Sequence, residues 1–317
     1  DSYRISNKWI EKIQKNNIKV ILIDDLFVGS KADLSINYTP LNSNNKLYLN
    51  SNQIRSPKYF ITDSKKIGSR ENKRKKIIAH AGGIGDFSKA RLVYQTLAEI
   101  TDQKSIELSW ICPNSQSIEL LKKIININSN DTILPWEKNS QNLWSKYEIV
   151  VGPASTSLYE AIIQGSVPIT FPISNTQCTP LNDWLAIGHT LHIRNEEIKN
   201  HDFIRTIIEL SISNYSFFFN LIKKSSKSLD GKGVYRVVSE IEKIINSNKI
   251  SQPIGKKSMQ SIIRRCTIED SEAFLNARNS IEVRQMSTNP EHIISWPEHL
   301  SWWMNTKINK YVLTDKS

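Results

Sequence analysis

The chain has 317 residues and a formal net charge of +11, and its length predicts about two domains. Its three cysteines are few and far apart, which excludes a disulfide framework and a zinc site and favours a reducing cytoplasm. We expect no membrane partner and no secretory signal, because no apolar run is long enough to span a bilayer. The lysines are scattered rather than interleaved with aromatic residues, a pattern that favours a compositional bias with lysines on solvated faces over attraction to nucleic acid. A small anionic ligand is compatible with this pattern.

The first part of the chain carries a predicted helix and two predicted strands. Apolar residues at helical spacing indicate a helix within residues 1–16, and the apolar run 19–25 indicates a buried parallel strand that ends in two carboxylates. Residues 33–38 form the second predicted strand. Residues at the C-terminal end of such strands face the ligand crevice of an open α/β sheet. The charged, glycine-containing stretch 65–76 predicts a domain boundary.

Strands and helices alternate in the next part of the chain. The predicted strands are residues 76–81, 106–112, 132–136 and 149–151. The predicted helices are residues 89–100, 115–125, 139–146, 200–223 and 233–246. This alternation predicts an α/β fold with doubly wound parallel sheets. A polar linker, 247–260, follows, and the character of the sequence changes after it.

The segment Val150–Ile169 organises the predicted ligand site. Its apolar run is expected to end at Gly152, since no strand continues through a Gly-Pro pair. A helix then opens with three small hydroxylic residues whose oxygens can cap backbone N–H groups: Ser155, Thr156 and Ser157. The same N–H groups and the positive end of the helix dipole form an anion site. An ordinary, well-capped βαβ crossover has the same pattern.

Further polar and glycine residues lie near this helix. Glu160 comes about one turn after Thr156, so a phosphate at the first turn and a ribose diol at the carboxylate would fit the layout. Gly165 suits the C-terminal cap of the helix. The pair Gly82-Gly83 stands between a strand and a helix and forms either a tight turn or a second phosphate loop. We interpret His80, two residues earlier, as a packed strand histidine rather than a residue lining the crevice.

Several motifs together resemble a known family. They are Asp1-Ser2-Tyr3, Ile23-Asp24-Asp25-Leu26, Asp33-Leu34-Ser35-Ile36-Asn37, Gly82-Gly83, Ala154–Glu160 and Asp230–Val238. Their order and spacing are similar to those of the UDP-sugar hydrolases of pseudaminic acid biosynthesis, which act on UDP-2,4-diacetamido-2,4,6-trideoxy-β-L-altropyranose. The resemblance covers roughly residues 1–246. It implies a GT-B-like fold of two facing Rossmann-like domains, of which the first is incomplete in this chain.

The resemblance also implies roles for single residues. The residues that bind UDP would be Gly82, Gly83, Ser155, Thr156, Ser157 and Glu160. The residues that act on the sugar would be Tyr3, Asn175 and Gln177. Which of Asn175 and Gln177 contacts the substrate stays open, because Thr176 separates a pair that is adjacent in the family. The resemblance implies neither a metal nor a cofactor for the hydrolysis.

The family reaction is the cleavage of the bond between the anomeric carbon and UDP by water. The family places its base, a histidine, in a Gly-x-Gly-His loop near the N-terminus, and the 317 residues contain no such loop. We therefore expect an N-terminally truncated chain that cannot hydrolyse its substrate by itself. A GT-B glycosyltransferase with a UDP-sugar donor is an open alternative. A non-catalytic nucleotide- or nucleic-acid-binding protein is another, and steeply salt-dependent binding would indicate it.

The tail resembles the start of a GNAT-family N-acetyltransferase. The resemblance rests on Ile263-Arg264-Arg265, Ala277-Arg278-Asn279 and Glu298–Trp303. The loop that binds the acetyl-CoA pyrophosphate is absent from this sequence, so acetyl-CoA is expected only for a longer chain. Acetylation of the same UDP-sugar precedes its hydrolysis, and a fusion would join the two steps. The predicted domains are 1–66, the end of the first Rossmann-like domain; 67–246, the UDP-binding domain; and, after the linker, 261–317, the start of the GNAT domain.

Overall fold

The computed structural model describes most of the chain. The described residues are 5–23, 31–39, 52–63, 75–83, 85–136, 142–174, 177–178, 183–184, 187–189, 191–225, 229–246, 261–285, 289–305 and 310–315. Within these ranges the strands form three separate sheets. The predictions for Tyr3, Asn175 and the linker 247–260 lie outside the described residues.

The first sheet is parallel and small. Its strands, in the order in which they pair, are β1 (Ile21–Ile23), β2 (Leu34–Asn37) and β3 (Gln53–Arg55). Helix α1 (Asn7–Gln14) precedes them, and Ser6 caps it by accepting a hydrogen bond from the Trp9 N–H at 3.3 Å. Ile10 of α1 is buried in a cluster with Val20 and Ala32. The predicted helix and both predicted strands are present in shorter form.

The second sheet is larger and also parallel. Its described strands are β4 (Lys76–His80), β5 (Glu107–Cys112), β6 (Thr132–Pro135), β7 (Ile149–Pro153) and β8 (Val167–Phe171). The helices that accompany them are α2 (Arg91–Gln103), α3 (Ser115–Lys122), α4 (Thr156–Gln164), α5 (His201–Ser213) and α6 (Tyr215–Ser225). The strand order is β6-β5-β4-β7-β8, so the winding reverses between β4 and β7. Open α/β sheets bind their ligands at this reversal, beyond the carboxyl ends of the strands.

Two local predictions in this sheet are wrong. Strand β7 does not stop at Gly152 but continues through Pro153, still paired with β8. The proline is tolerated because β4 pairs with β7 only as far as Val151, so no partner strand on that side needs the missing N–H. Of the predicted helix 139–146, the described part forms one turn of 3₁₀-helix at 144–146.

Helix α7 (Gly233–Asn246) follows the second sheet and packs on the first. Its apolar face lies in one cluster with side chains of the first sheet: Val237, Ile241 and Ile244 with Leu34, Ile36 and Tyr59. The turn that leads into it, Asp230–Gly233, is held by ion pairing. Arg236 donates to the carboxylate of Asp230 at 2.8 and 2.6 Å and to the carbonyl oxygen of Lys58 at 2.9 Å. The contacts of this turn therefore hold the segment that follows the second sheet against the first sheet.

The tail forms a third group of elements. They are β9 (Ser261–Arg265), α8 (Ser271–Asn279), α9 (Ile281–Gln285), α10 (Trp296–Asn305) and β10 (Tyr311–Asp315). Strands β9 and β10 pair antiparallel, and Leu275, Trp296 and Leu300 extend the core of the second sheet. An ion pair of 3.1 Å between Arg194 and Glu272 adds a polar contact. Of the helices in the described ranges, none is long and apolar enough to cross a membrane.

Candidate functional site

Two turns meet at the point where the winding of the second sheet reverses. One follows β4 and contains Gly82 and Gly83, and the other follows β7 and leads into α4. Gly82 has φ +74°, a left-handed conformation that favours glycine, and a Cβ added to it would lie 3.8 Å from Cγ of Pro153. The two turns are therefore neighbours, as a shared ligand site requires. We use the name switch-point crevice for the region bounded by these two turns, at the reversal of the winding between β4 and β7.

His80 joins the two turns. Its Nδ1 accepts a hydrogen bond from the Gly82 N–H at 3.2 Å, and its Nε2 lies 3.1 Å from Oγ of Ser157. The side chain is buried, and burial lowers the pKa of His80 to about 4. The imidazole is therefore neutral at physiological pH. The interpretation of His80 as a packed strand residue is correct for its burial but omits this link to the predicted ligand turn.

The place of His80 depends on Gly152. The register of β4 and β7 sets Ala79 opposite Val151, so the next residues, His80 and Gly152, are also neighbours. A Cβ at Gly152 would overlap three atoms of the His80 ring. The ring of Trp144 lies 5.5 Å from that of His80, centroid to centroid. Glycine at 152 is thus required by the histidine and not only by the turn.

The hydroxylic residues do not cap α4 as predicted. Ser155 occupies the N-cap position, but its side chain makes no capping hydrogen bond. Its Oγ instead lies 2.8 Å from Oγ of Ser157, and Oγ of Ser157 lies in turn 3.1 Å from Nε2 of His80. The first N–H groups of a helix have no partner inside the helix, and the side chain of the N-cap residue of α4 does not cover them. Thr156 is exposed at the same end. The mouth of α4 therefore offers backbone and hydroxyl donors to an anion.

Glu160 lies one turn farther along α4 and is half-buried. One of its carboxylate oxygens accepts a hydrogen bond from Nε1 of Trp144 at 3.2 Å. Burial raises the pKa of Glu160, the Trp144 bond opposes the rise, and the charge of Asp63 adds to it. Trp144 therefore fixes the orientation of a carboxylate beside the same mouth, as the predicted position of Glu160 requires.

Gly83 and Gly85 show which side of the first turn is open. A Cβ at Gly85 would overlap Pro113 and Ser117, so this end of the turn is packed against the start of α3. Within the described part of the chain, a Cβ at Gly83 would meet no atom within 4 Å apart from those of its two chain neighbours. The backbone at Gly83 can therefore be approached closely by a ligand.

Of the three residues predicted to act on the sugar, the structure describes one. Gln177 is described, and its Oε1 accepts a hydrogen bond from the Ile173 N–H at 3.0 Å, which closes the loop after β8. Tyr3 and Asn175 lie outside the described residues. Across the described ranges, no group of three or more His, Cys, Asp or Glu side chains could hold a metal ion.

The first sheet contacts the helix that carries this site. Phe60, which follows β3, stacks on Tyr159 of α4 with ring centroids 4.7 Å apart. Nearby, Nη2 of Arg55 lies 4.0 Å from Oδ2 of Asp183; the Asp183 side chain is buried and that of Arg55 is partly buried. Burial raises the pKa of Asp183 to about 6, although the charge of Arg55 acts in the opposite direction. The two sheets are thus held together close to the crevice.

Sequence reasoning missed the functional position of three residues: His80, Trp144 and Gly152. Their contacts join segments that are far apart in the chain, since His80 and Ser157 are 77 positions apart. A usable signal was the glycine directly after the apolar run of β7, beside a histidine at the end of β4. Such a glycine marks a place where a neighbouring side chain or a ligand comes close to the backbone.

Comparison with known proteins identifies solved structures with a similar fold. No family model and no curated protein sequence matches the chain. Among solved structures it is similar to the S. aureus MnaA–UDP complex, with 13% identity and a TM-score of 0.53 over 78% of this chain and 74% of that chain. It is similar to UDP-GlcNAc 2-epimerase from Neisseria meningitidis bound to UDP-GlcNAc, with 12% identity and a TM-score of 0.53 over 74% of this chain and 72% of that chain.

A third similar structure is MurG from Acinetobacter baumannii, with 13% identity and a TM-score of 0.51 over 74% of this chain and 70% of that chain. At such identities the likeness shows the fold. The expected α/β, GT-B-like architecture, with parallel sheets flanked by helices, is therefore confirmed. These structures do not show a GNAT domain, so the assignment of the tail stays a prediction.

Proposed function

We propose that this chain is a UDP-sugar enzyme and that the switch-point crevice holds the diphosphate of UDP. The observation that carries the proposal is the meeting of two turns, one open at Gly83 and one rich in donors at α4, where the winding of the sheet reverses. Two similar structures support it, since one is a complex with UDP and the other is a complex with UDP-GlcNAc.

The parts of UDP have natural places in this crevice. The diphosphate would accept hydrogen bonds from the first turn of α4 and from the backbone at Gly82 and Gly83. Glu160 would accept hydrogen bonds from the ribose hydroxyls with the carboxylate oxygen that Trp144 leaves accessible. The open side of Gly83 gives the phosphates room to approach the backbone.

The finer proposal is hydrolysis of a UDP-activated diacetamido-trideoxy sugar in pseudaminic acid biosynthesis. A water oxygen attacks the anomeric carbon, the bond from that carbon to the diphosphate oxygen breaks, and UDP leaves with the bonding electrons. The proton of the water passes to a general base. The helix dipole and N–H groups of α4 stabilise the negative charge that grows on the leaving diphosphate. The motif resemblance supports this substrate, and the crevice supplies the leaving-group half of the site.

A glycosyltransferase is the alternative, because the same leaving-group site serves both reactions. The two differ in what attacks the anomeric carbon. Product analysis after incubation with UDP-2,4-diacetamido-2,4,6-trideoxy-β-L-altropyranose separates them: hydrolysis gives the free sugar and UDP, whereas transfer gives UDP only when an acceptor is present. Since the sequence lacks the Gly-x-Gly-His loop, the assay should also be run with a protein that carries this loop.

The tail is proposed as the start of a second enzymatic module, a GNAT-type N-acetyltransferase for the same sugar. It contains a strand, helices and an antiparallel strand in the expected order, β9, α8 to α10 and β10. Acetyl-CoA would be the acetyl donor of the complete module. If a longer chain that includes residues 261–317 fails to transfer acetyl groups from acetyl-CoA to the amino-sugar precursor, this part of the proposal is wrong.

Calorimetric titration with UDP tests the binding step. We expect Ser155→Ala and Glu160→Gln each to weaken binding, because each removes a charge-assisted or directional contact worth about 1.5–3 kcal/mol. Glu242→Gln, which changes an exposed carboxylate on α7, is the matched control and should bind as the wild type does. Absence of UDP binding at millimolar ligand by the folded wild type would refute the proposal.

A further inference from the structure

His80 is a buried histidine to which the proposed reaction assigns no role. The Gly82 N–H donates to its Nδ1 at 3.2 Å, so Nδ1 presents a lone pair there and carries no hydrogen. The ring is neutral at physiological pH because it is buried among uncharged groups. The single ring hydrogen therefore lies on Nε2.

The hydrogen on Nε2 sets the direction of the next bond. Nε2 faces Oγ of Ser157 at 3.1 Å, and a ring nitrogen that carries hydrogen must donate to it. Ser157 is buried, and within the described part of the chain its Oγ has one other partner, Oγ of Ser155 at 2.8 Å. The Ser157 hydrogen is therefore directed to Ser155. The donor order runs from Gly82 to His80, then to Ser157 and to Ser155.

Ser155 is the end of this series. Its oxygen accepts from Ser157, and its side chain does not cap α4, so its own hydrogen is left for a ligand at the half-exposed mouth of the helix. We infer that His80 is a positioning residue that makes the Ser155 hydroxyl an obligate donor to an anionic oxygen of the ligand. The inference rests on the proposed function, in which that oxygen belongs to the diphosphate of UDP.

The chemistry of phosphate fits such a site. A free serine hydroxyl can donate or accept, whereas phosphate oxygens only accept. A donor fixed in advance by three consecutive hydrogen bonds avoids the cost of reorienting the hydroxyl when the ligand binds. The two strands maintain this order, since His80 fills the space that Gly152 leaves beside it.

The tautomer of His80 can be measured without any ligand. NMR of the full chain labelled with ¹⁵N-histidine, between pH 6 and 8, reports the protonation of each ring nitrogen, and His80→Gln identifies the His80 signals by their loss. We expect Nδ1 to be unprotonated and Nε2 protonated over the whole range. A hydrogen on Nδ1, or a doubly protonated ring at pH 7, would overturn the inference.

A double-mutant cycle on UDP affinity tests the action through Ser155. We expect Ser155→Ala and His80→Leu each to weaken binding by about tenfold or more, and the double variant to be no weaker than Ser155→Ala alone. His80→Gln, which keeps an amide donor near the position of Nε2, should recover part of the affinity. Losses that multiply to about a hundredfold in the double variant would contradict the inference.

A failure of this inference can be told apart from a variant that does not fold and from a failure of the proposed function. If His80→Leu does not fold, Ser157→Ala breaks the same series between His80 and Ser155 and replaces it in the cycle. If the folded wild type does not bind UDP, the proposed function is wrong, and the tautomer measurement alone decides whether the donor order exists.

Discussion

Two glycine-containing turns of this molecule have opposite surroundings. The turn at Gly82 and Gly83 borders open space, since a Cβ at Gly83 would meet no other described residue within 4 Å beyond its chain neighbours. The turn Asp230–Gly233 is closed, because a Cβ at Gly233 would overlap the carbonyl oxygen of Phe60. The first turn leaves room for a ligand. The second lets the backbone at the start of α7 come close to the backbone of Phe60, which follows the first sheet.

The difference shows that a glycine motif in the sequence does not by itself indicate a ligand site. Both turns belong to the set of motifs that resembles the UDP-sugar hydrolases, yet only the first lies at the carboxyl ends of the parallel strands. The second gives α7 its contact with the first sheet through Phe60 and Lys58. We propose the first turn for ligand binding, whereas the second contacts the first sheet, and substitutions can separate these roles.

The largest effect is expected at the closed turn. Gly233→Ala forces a methyl group against the backbone of Phe60, which cannot move like a flexible side chain, and should lower the free energy of unfolding by about 3 kcal/mol or more. Chemical denaturation measures the loss. A change below about 0.5 kcal/mol would mean that the junction is not as tight as described.

A smaller loss is expected between the strands of the open site. Gly152→Ala places a methyl group in the His80 ring and should destabilise the protein by about 2 kcal/mol and weaken UDP binding. The same substitution in a His80→Ala background should cost much less, because the ring that it meets is gone. Thermal unfolding of the four proteins checks this; equal losses in both backgrounds would show that the conflict lies elsewhere.

The ion pair of the closed turn predicts a pH effect. The hydrogen bonds from Arg236 lower the pKa of Asp230 to about 2. A pKa that is lower in the folded state gives stability that is present above the ordinary aspartate pKa and is lost as the pH falls through about 2. Because the pair is partly exposed, we expect only about 1 kcal/mol.

Asp230→Asn should therefore remove the part of the acid destabilisation that lies between about pH 4 and pH 2. Urea titrations at several pH values measure it. Wild-type and variant curves that stay parallel over this window would contradict the assignment of the pair to the junction.

The smallest effect on stability is expected at Gly83. Gly83→Ala should change the free energy of unfolding by less than about 0.5 kcal/mol, because the added methyl group enters open space. It should still weaken UDP binding, since the methyl group occupies the side from which the phosphates approach. Unchanged UDP affinity in a stable Gly83→Ala protein would move the ligand away from this turn.

The sequence predicted the second sheet well because its signals are local. Buried apolar runs identify β4, β5 and β7, and Gly165, at φ +84°, ends α4 as predicted from the chain. The capping role of Ser155 was predicted wrongly, because its Oγ contacts Ser157, which in turn contacts His80 on another strand. Pro153 stays within its strand for a similar reason, since only the register with β4 shows that its missing N–H is harmless.

The candidate site was therefore only half predictable. The residue types at Gly82, Gly83 and Ser155 to Glu160 indicate phosphate and ribose chemistry without any coordinates. The role of Gly233, in contrast, depends on the carbonyl oxygen of Phe60, a contact that no local pattern encodes. Long-range contacts decide which glycine borders open space and which one packs against another backbone.

The most direct test of the central claim is the location of UDP on the protein. Backbone amide NMR of the ¹⁵N-labelled chain during a UDP titration compares the two edges of the second sheet. The account predicts shifts for Gly82, Gly83, Thr156 and Ser157, and none for Lys104 and Ser105, which lie at the opposite edge before β5. Shifts confined to the opposite edge, or no saturable shift in the crevice, would contradict it.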